Sequence, residues 1–366
     1  MNAKIKKIID KMKEEGIDNL IICDGGSIYY LTGCMFHTMH RMCALLLSVD
    51  SDPVLYIHEM FPTRGLEEAG VRTHHWKDTD NYIKELYNEF DHTKQLAVDK
   101  YFEARFVIAL QDFGLAKPIK VGSYVIDDIR AIKSPEEFHL MDLSSDINDK
   151  AMLELEDYID KYHGDPEALT ELHLVDVLAK IYAQYTDGGF SFDPIISFGV
   201  NATDPHHEPD NTVLKAGDCV IIDIGCMKDE YASDMTRTVF YKKVSDFDKA
   251  IFEIVCEAQR RAEAFAKPGV KCSEIDAAAR NYITEKGYGQ YFTHRLGHFI
   301  GMEVHEAGDI SGSNHAIVKA GNVFSIEPGI YIAEKKIGVR CENLVFVTED
   351  GSRPLNKIPM GLKIVG

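Results

Sequence analysis

VIIDIGCMKDEYASDMTRT, residues 220–238, carries most of what this chain reveals about its fold. Asp223 lies inside an apolar run that reads as a fully buried strand. Asp234 opens DMTRTVFY, where Asp234, Thr236 and Thr238 share one face because side chains alternate along a strand. The glycine and polar residues of GCMKDEY fit a hairpin connection, and two adjacent strands would bring both carboxylates to one place. A structural alternative stays open: Asp234 caps a turn and Asp223 pairs with a buried arginine such as Arg237. Burying an unpaired carboxylate costs several kcal/mol, so either way these two acids need partners.

Three further segments supply them: HRLGHFIGMEVHE (294–306), FSIEPGIY (324–331) and VRCENL (339–344). Asp223, Asp234, His298, Glu327 and Glu342 read together as a two-metal site, since four carboxylates balance two divalent cations. His298 stands between Gly297 and Gly301, with His294 before it and His305 after. In a straight strand 298 and 305 would face opposite ways, whereas a bend or bulge at Gly301 points both into one cavity. Glu327 precedes Pro328, which biases it to an extended conformation. Arg340 and Glu342 share a strand face, so Arg340 is expected to steady Glu342, with Thr236 beside it; a plain Arg–Glu strand pair is the simpler reading.

The rest of the composition narrows the class. The chain has 366 residues, enough for two domains, with 45% hydrophobic and 27% charged residues, as in a soluble globular protein. A formal charge of −19 and the lack of a basic patch with interleaved aromatics argue against nucleic acid and an anionic membrane as partners. Eight cysteines without a C-x-x-C pair fit a reduced, cytoplasmic compartment. MNAKIKKIIDKMKEEG reads as an amphipathic helix on Ile5, Ile8, Ile9 and Met12, not as a signal or a membrane span.

Strand patterns at 19–24, 43–49, 54–60, 71–76 and 95–99, with helical patterns around 79–89 and 101–113, predict an α/β domain over residues 1–128. In GSYVIDDIRAIKSP (122–135) the chain leaves it. Ser134-Pro135-Glu136-Glu137 starts a long helix, since Ser caps, Pro suits the first helical position and acids favour the first turn. That helix runs to about 161 and another spans roughly 168–185. Strands and turns follow from Phe190, interrupted by helices at about 245–266 and 272–286, so residues 129–366 are predicted to be α+β with a largely antiparallel sheet.

On these motifs the chain resembles the pita-bread metallopeptidases: methionine aminopeptidase, aminopeptidase P and prolidase, with creatinase as a metal-free relative. EEGIDNLIICDGGSIYYLTG and the strand LLLSVD are similar to the creatinase-type N-terminal domain. IRAIKSPEEF resembles the segment between the domains, and FSFDPIISFGVNATDPHHEPD the substrate-side loop. The resemblance covers nearly the whole chain and includes the ten-residue gap between the aspartates. It implies a pita-bread catalytic domain behind a smaller α/β domain, with Asp223, Asp234, His298, Glu327 and Glu342 as metal ligands. It further implies that His206 contacts substrate, that His305 holds the scissile carbonyl or the tetrahedral intermediate, and that His294 lines the same cavity. His207 is expected to be a neighbour only. Two departures bear on the pocket: Phe299 stands where a second glycine is common, which would narrow one wall, and AGDISGSN follows VHE where a proline is frequent. Asn343 replaces an acid that often follows the last ligand.

The expected chemistry is hydrolysis of Xaa-Pro bonds in dipeptides or short peptides. Two cations a few ångströms apart lower the pKa of a bridging water to about 7 and polarise a carbonyl. Glu327 is the candidate proton shuttle, and His206 and His305 the oxyanion donors. Carboxylates with one imidazole suit Mn²⁺ or Co²⁺, and Zn²⁺ or Fe²⁺ also fit. The resemblance implies a homodimer as well. The alternatives are a creatinase-like hydrolase of a non-peptide C–N bond and an inactive pita-bread binding module.

Overall fold

The structure, a computed structural model, describes all residues, Met1–Gly366. They divide into two compact units, Met1–Arg130 and Ala131–Gly366.

The first unit is built on a six-stranded mixed sheet. Its spatial order is Arg72–Trp76, Val54–His58, Ala44–Ser48, Asn19–Ile22, Leu96–Val98 and Lys120–Val121. Alternation along these strands makes two cores. Leu20, Ile22, Leu45 and Leu47 face the helix Ala3–Glu14 through its Ile5, Ile8, Ile9 and Met12. Ile21, Ala44 and Leu46 face the other way, toward Trp76, Leu86, Phe106 and Leu110. The helices Tyr82–Asn88 and Ala104–Asp112 lie where the sequence predicts them. GSIYYLTG, given no element from sequence, belongs to a helix, Gly25–Thr32, capped by Asp24 and closed by Gly33 in the left-handed region (φ +71°).

The second unit opens with the helix Pro135–Asp160, started by a capping box between Ser134 and Glu137. The helices Glu171–Tyr182, Asp246–Phe265 and Cys272–Glu285 follow, each inside its predicted range. A central sheet of four strands has the order Ile364–Val365, Met235–Tyr241, Cys219–Ile224, Ile195–Phe198, and only the Ile364–Val365 pairing is parallel. Val220, Ile222 and Ile224 pack toward the first helix pair. Cys219 and Ile221 pack toward the second helix pair. Asp223 follows the same alternation and falls on the second side, while the register Thr236↔Asp223 seats Thr236 beside it.

The remaining ligand candidates sit at a flaw in a long hairpin. Val323–Ile326 pairs with Asn343–Val347, and Gly329–Ile332 pairs with Ile337–Arg340. Between the two ladders lie Glu327-Pro328 on one strand and Cys341-Glu342 on the other. Pro328 has no N–H to give a ladder, so pairing stops there. The freed amides turn outward: Glu327 N donates to Leu296 O at 2.8 Å, and Glu342 N to Thr236 O at 3.1 Å. The interruption thus stitches the hairpin to the His298 segment and to the Asp234 strand. Gly297 is required at the first of these seams, because a Cβ there would lie 1.9 Å from Ser325 O.

Candidate metal centre

The four acids and one imidazole that the sequence singles out all line one cavity of about 570 Å³. Asp234, His298 and Glu342 each offer a ligand atom within 4.8 Å of the others. His298 Nε2 stands 3.4 Å from Asp234 Oδ2 and 3.4 Å from Glu327 Oε1. Its Nδ1 faces the carbonyl of Phe299 at 3.3 Å, so Nδ1 carries the proton and the Nε2 lone pair points at the carboxylates. Burial lowers the pKa of His298, which keeps the ring neutral and able to donate that lone pair.

The carboxylates are badly placed to be anions by themselves. Burial, then the charge of Asp223, raises Asp234 well above the carboxylate range. Burial, then Asp234 and Glu327, does the same to Glu342. Glu327 is pushed up to about 7 by burial, with Asp234 and Asp223 adding and His298 and Arg340 opposing. Asp223 Oδ1 and Glu342 Oε1 are buried without any hydrogen-bond partner. Native proteins rarely leave such atoms orphaned.

A polar frame holds the candidate ligands from behind. Arg340 Nη2 donates to Asp223 Oδ2 at 2.5 Å, its Nε to Thr236 Oγ1 at 3.1 Å, and its Nη1 to Tyr331 Oη at 2.9 Å. Thr236 Oγ1 in turn donates to Glu342 Oε2 at 2.7 Å. Ser325 Oγ donates to Glu327 Oε1 at 3.1 Å and accepts from His298 N at 3.0 Å. Arg340 Nη1 also reaches Pro205 O at 3.3 Å, tying down the loop that carries His206.

Three histidines complete the walls. His305 meets His298 edge to face, ring centroids 4.2 Å apart, because the chain bends at Gly301 as the sequence suggests. Burial lowers His305 to about 4, so its ring is neutral at physiological pH. His206 is exposed at the cavity wall. His294 is lowered to about 3, chiefly by burial, and both its nitrogens are engaged: Nδ1–H with Arg295 O at 2.7 Å and Nε2 with the Tyr331 hydroxyl at 3.0 Å. It lines the cavity and orients Tyr331. The neighbour His207 turns to Glu171, at 2.8 Å.

Residues 139–349 match the family described as metallopeptidase family M24, and residues 4–132 match the creatinase/prolidase N-terminal domain. This chain belongs to metallopeptidase family M24. Among M24 relatives, a Xaa-Pro dipeptidase of Pyrococcus horikoshii is 34% identical over 357 residues, 98% of this chain and 97% of the relative. The crystal structure of a prolidase from Pyrococcus horikoshii superposes with a TM-score of 0.87 at 32% identity, covering 99% of this chain and 100% of that one. An X-Pro aminopeptidase structure from Thermotoga maritima gives 0.80 at 27% identity, covering 97% and 100%.

The residues present suit the divalent cations of an M24 metallopeptidase: orphaned carboxylate oxygens, raised acids and a neutral imidazole aimed at them form an oxygen-rich donor set. Two expectations and one structural alternative need correction. Asp223 pairs with Arg340 and not Arg237, which bonds the carbonyls of Thr236 and Ile358 and the side chain of Asn343. Arg340 reaches Glu342 only through Thr236, because its guanidinium is taken up by Asp223, Thr236 and Tyr331. Phe299 does not narrow the cavity. It alternates with His298, points into the core and meets the Phe324 ring at a tilt, centroids 5.6 Å apart. Sequence reasoning also missed Tyr331, although EPGIY places it close behind Glu327, and Arg295, whose exposed guanidinium lines the cavity.

Proposed function

We propose that this M24 chain hydrolyses Xaa-Pro bonds, with Asp223, Asp234, His298, Glu327 and Glu342 holding two divalent cations, Mn²⁺ or Co²⁺ in preference. The observation that carries this reading is the group of buried carboxylates with orphaned oxygens, opening onto one cavity beside a neutral His298. The relatives named Xaa-Pro dipeptidase, which match the chain end to end, supply the bond. When bound, the cations supply Lewis acidity and a water acidic enough to ionise near neutral pH.

The chain's own groups do the rest. Glu327 takes the proton of the attacking water and returns it to the proline nitrogen as the C–N bond breaks. The neutral ring of His305, and His206 beside it, donate N–H to the developing oxyanion, a contribution of about 3 kcal/mol for a well-placed donor. Arg340 and Thr236 keep Asp223 and Glu342 in register. Arg295 at the cavity wall is free of ion pairs, and its charge is felt by His298 and His305. That guanidinium suits the carboxylate of a dipeptide, which favours Xaa-Pro dipeptides over longer chains. The same reading places the enzyme in the cytoplasm, on its cysteine usage, and makes it a homodimer, on the resemblance alone.

The test is hydrolysis of Ala-Pro and Ala-Pro-Ala by metal-stripped protein before and after Mn²⁺ or Co²⁺ is added. Restored cleavage that favours Ala-Pro supports the dipeptidase reading, and preference for Ala-Pro-Ala makes the enzyme an aminopeptidase. Cleavage of neither by cation-loaded protein would overturn the Xaa-Pro assignment.

A further inference from the structure

Lys133 and Glu306 form an ion pair of 2.7 Å with side chains only 2% and 6% exposed. Desolvating two charges so fully costs several kcal/mol per ion, so such a pair is a poor device for stability and a good one for fixing geometry. What it fixes is the segment that carries His305. Glu306 follows His305 directly. Its second carboxylate oxygen accepts from Met302 N at 3.0 Å, and its own amide donates to Phe299 O at 2.9 Å. One residue thereby closes the bend from 299 to 306. At Gly301 a Cβ would fall 2.5 Å from Glu306 Oε1, so the carboxylate lies directly against the turning backbone.

Lys133 is a firm anchor for this arrangement. Its amide donates to Gly321 O at 2.8 Å, and the next residue, Ser134, caps the helix Pro135–Asp160. The His305 ring, by contrast, makes no hydrogen bond of its own within the protein. Its orientation rests on the backbone of the bend and on the edge contact with His298.

We propose that Lys133 is a positioning residue for His305: through Glu306 it sets the bend that aims the imidazole into the cavity, and so supports kcat without touching substrate or cations. This inference rests on the role given to His305 above. In Lys133→Met, kcat for Ala-Pro is expected to fall on the order of 10- to 100-fold, the scale of a displaced catalytic group. KM and cation content stay unchanged, and Lys133→Arg recovers much of the loss. In a His305→Ala background the same Lys133→Met change lowers kcat no further. A wild-type kcat in folded, cation-loaded Lys133→Met overturns the proposal, as does an equal loss in both backgrounds. Glu306→Gln gives the same readings should Lys133→Met fail to fold. A second readout needs no activity: the ring resonance of His305, identified by its loss in His305→Ala, should shift in Lys133→Met. If wild-type protein cleaves no Xaa-Pro bond, the functional reading falls and this resonance alone decides, an unmoved signal overturning the inference.

Discussion

In the first unit Asp24 is 7% exposed and Asp99 4%; in the second, Asp223 is 7% exposed and Asp234 4%. The depth is the same and the surroundings are not. Asp24 accepts from Gly26 N, Ser27 N and Arg130 Nη1, and Asp99 from Cys23 N, Asp24 N and Tyr101 N. Every oxygen of that pair has a donor supplied by the chain. Around Asp223 and Asp234, oxygens of Asp223 and Glu342 have none, and the acids raise one another. Burial alone therefore does not mark a functional acid. An orphaned oxygen alone does not mark one either, since Asp149 Oδ1 is buried without a partner outside the site; what sets the second cluster apart is that several such acids gather around one cavity and raise one another.

The sharpest way to break the contrast is Asp234→Ala or Glu342→Ala. Bound cation and hydrolysis should fall together, the rate by about 10³-fold or more, as expected for losing several kcal/mol of charge stabilisation; metal analysis beside kinetics checks this, and an active, fully loaded variant would dissolve the distinction. Asp24→Ala should do the reverse, leaving cation content intact while denaturant unfolding reveals a loss of about 3–5 kcal/mol, since the buried Asp24–Arg130 pair is broken. His305→Ala should retain its cations and lose about 10²-fold in kcat, the magnitude of one oxyanion donor.

A smaller effect concerns pH. In the cation-free protein Glu327 titrates at about 7, with Asp234 and Glu342 raised as well, whereas His298 is lowered and already neutral. Cations bind the deprotonated acids, so affinity should climb as pH rises from about 5 to 7, roughly tenfold per unit for each proton displaced. Calorimetry of Mn²⁺ binding in buffers of different ionisation enthalpy should show proton release at pH 6 that shrinks toward pH 8. A pH-independent affinity without proton release would place the second cluster with the first.

Much of this was legible in the sequence. The helices Pro135–Asp160 and Asp246–Phe265 announce themselves by cap and period, and the strand Cys219–Ile224 by its apolar run. The bend at Gly301 follows from needing His298 and His305 on one side. What stayed hidden depends on register across distant strands. Arg340 meets Asp223 because Gly329↔Arg340 is the last rung before the interruption; Pro328 signals the break, but no local pattern reveals which residue the partner strand sets beside it. Phe299 could be placed in the core only once His298 was known to face the cavity. The helix Gly25–Thr32 was masked by glycines and tyrosines of weak helical propensity.

The gap at Glu327-Pro328 and Cys341-Glu342 has a kinetic consequence. The site exists only after a hairpin near the end of the chain has docked on both the His298 segment and the Asp234 strand, pairings that are long in sequence and late to form. Cations can recognise only that finished arrangement, and stabilisation that appears after the folding barrier acts on the return path. Bound metal should therefore leave the speed of folding nearly untouched and lengthen the lifetime of the folded enzyme.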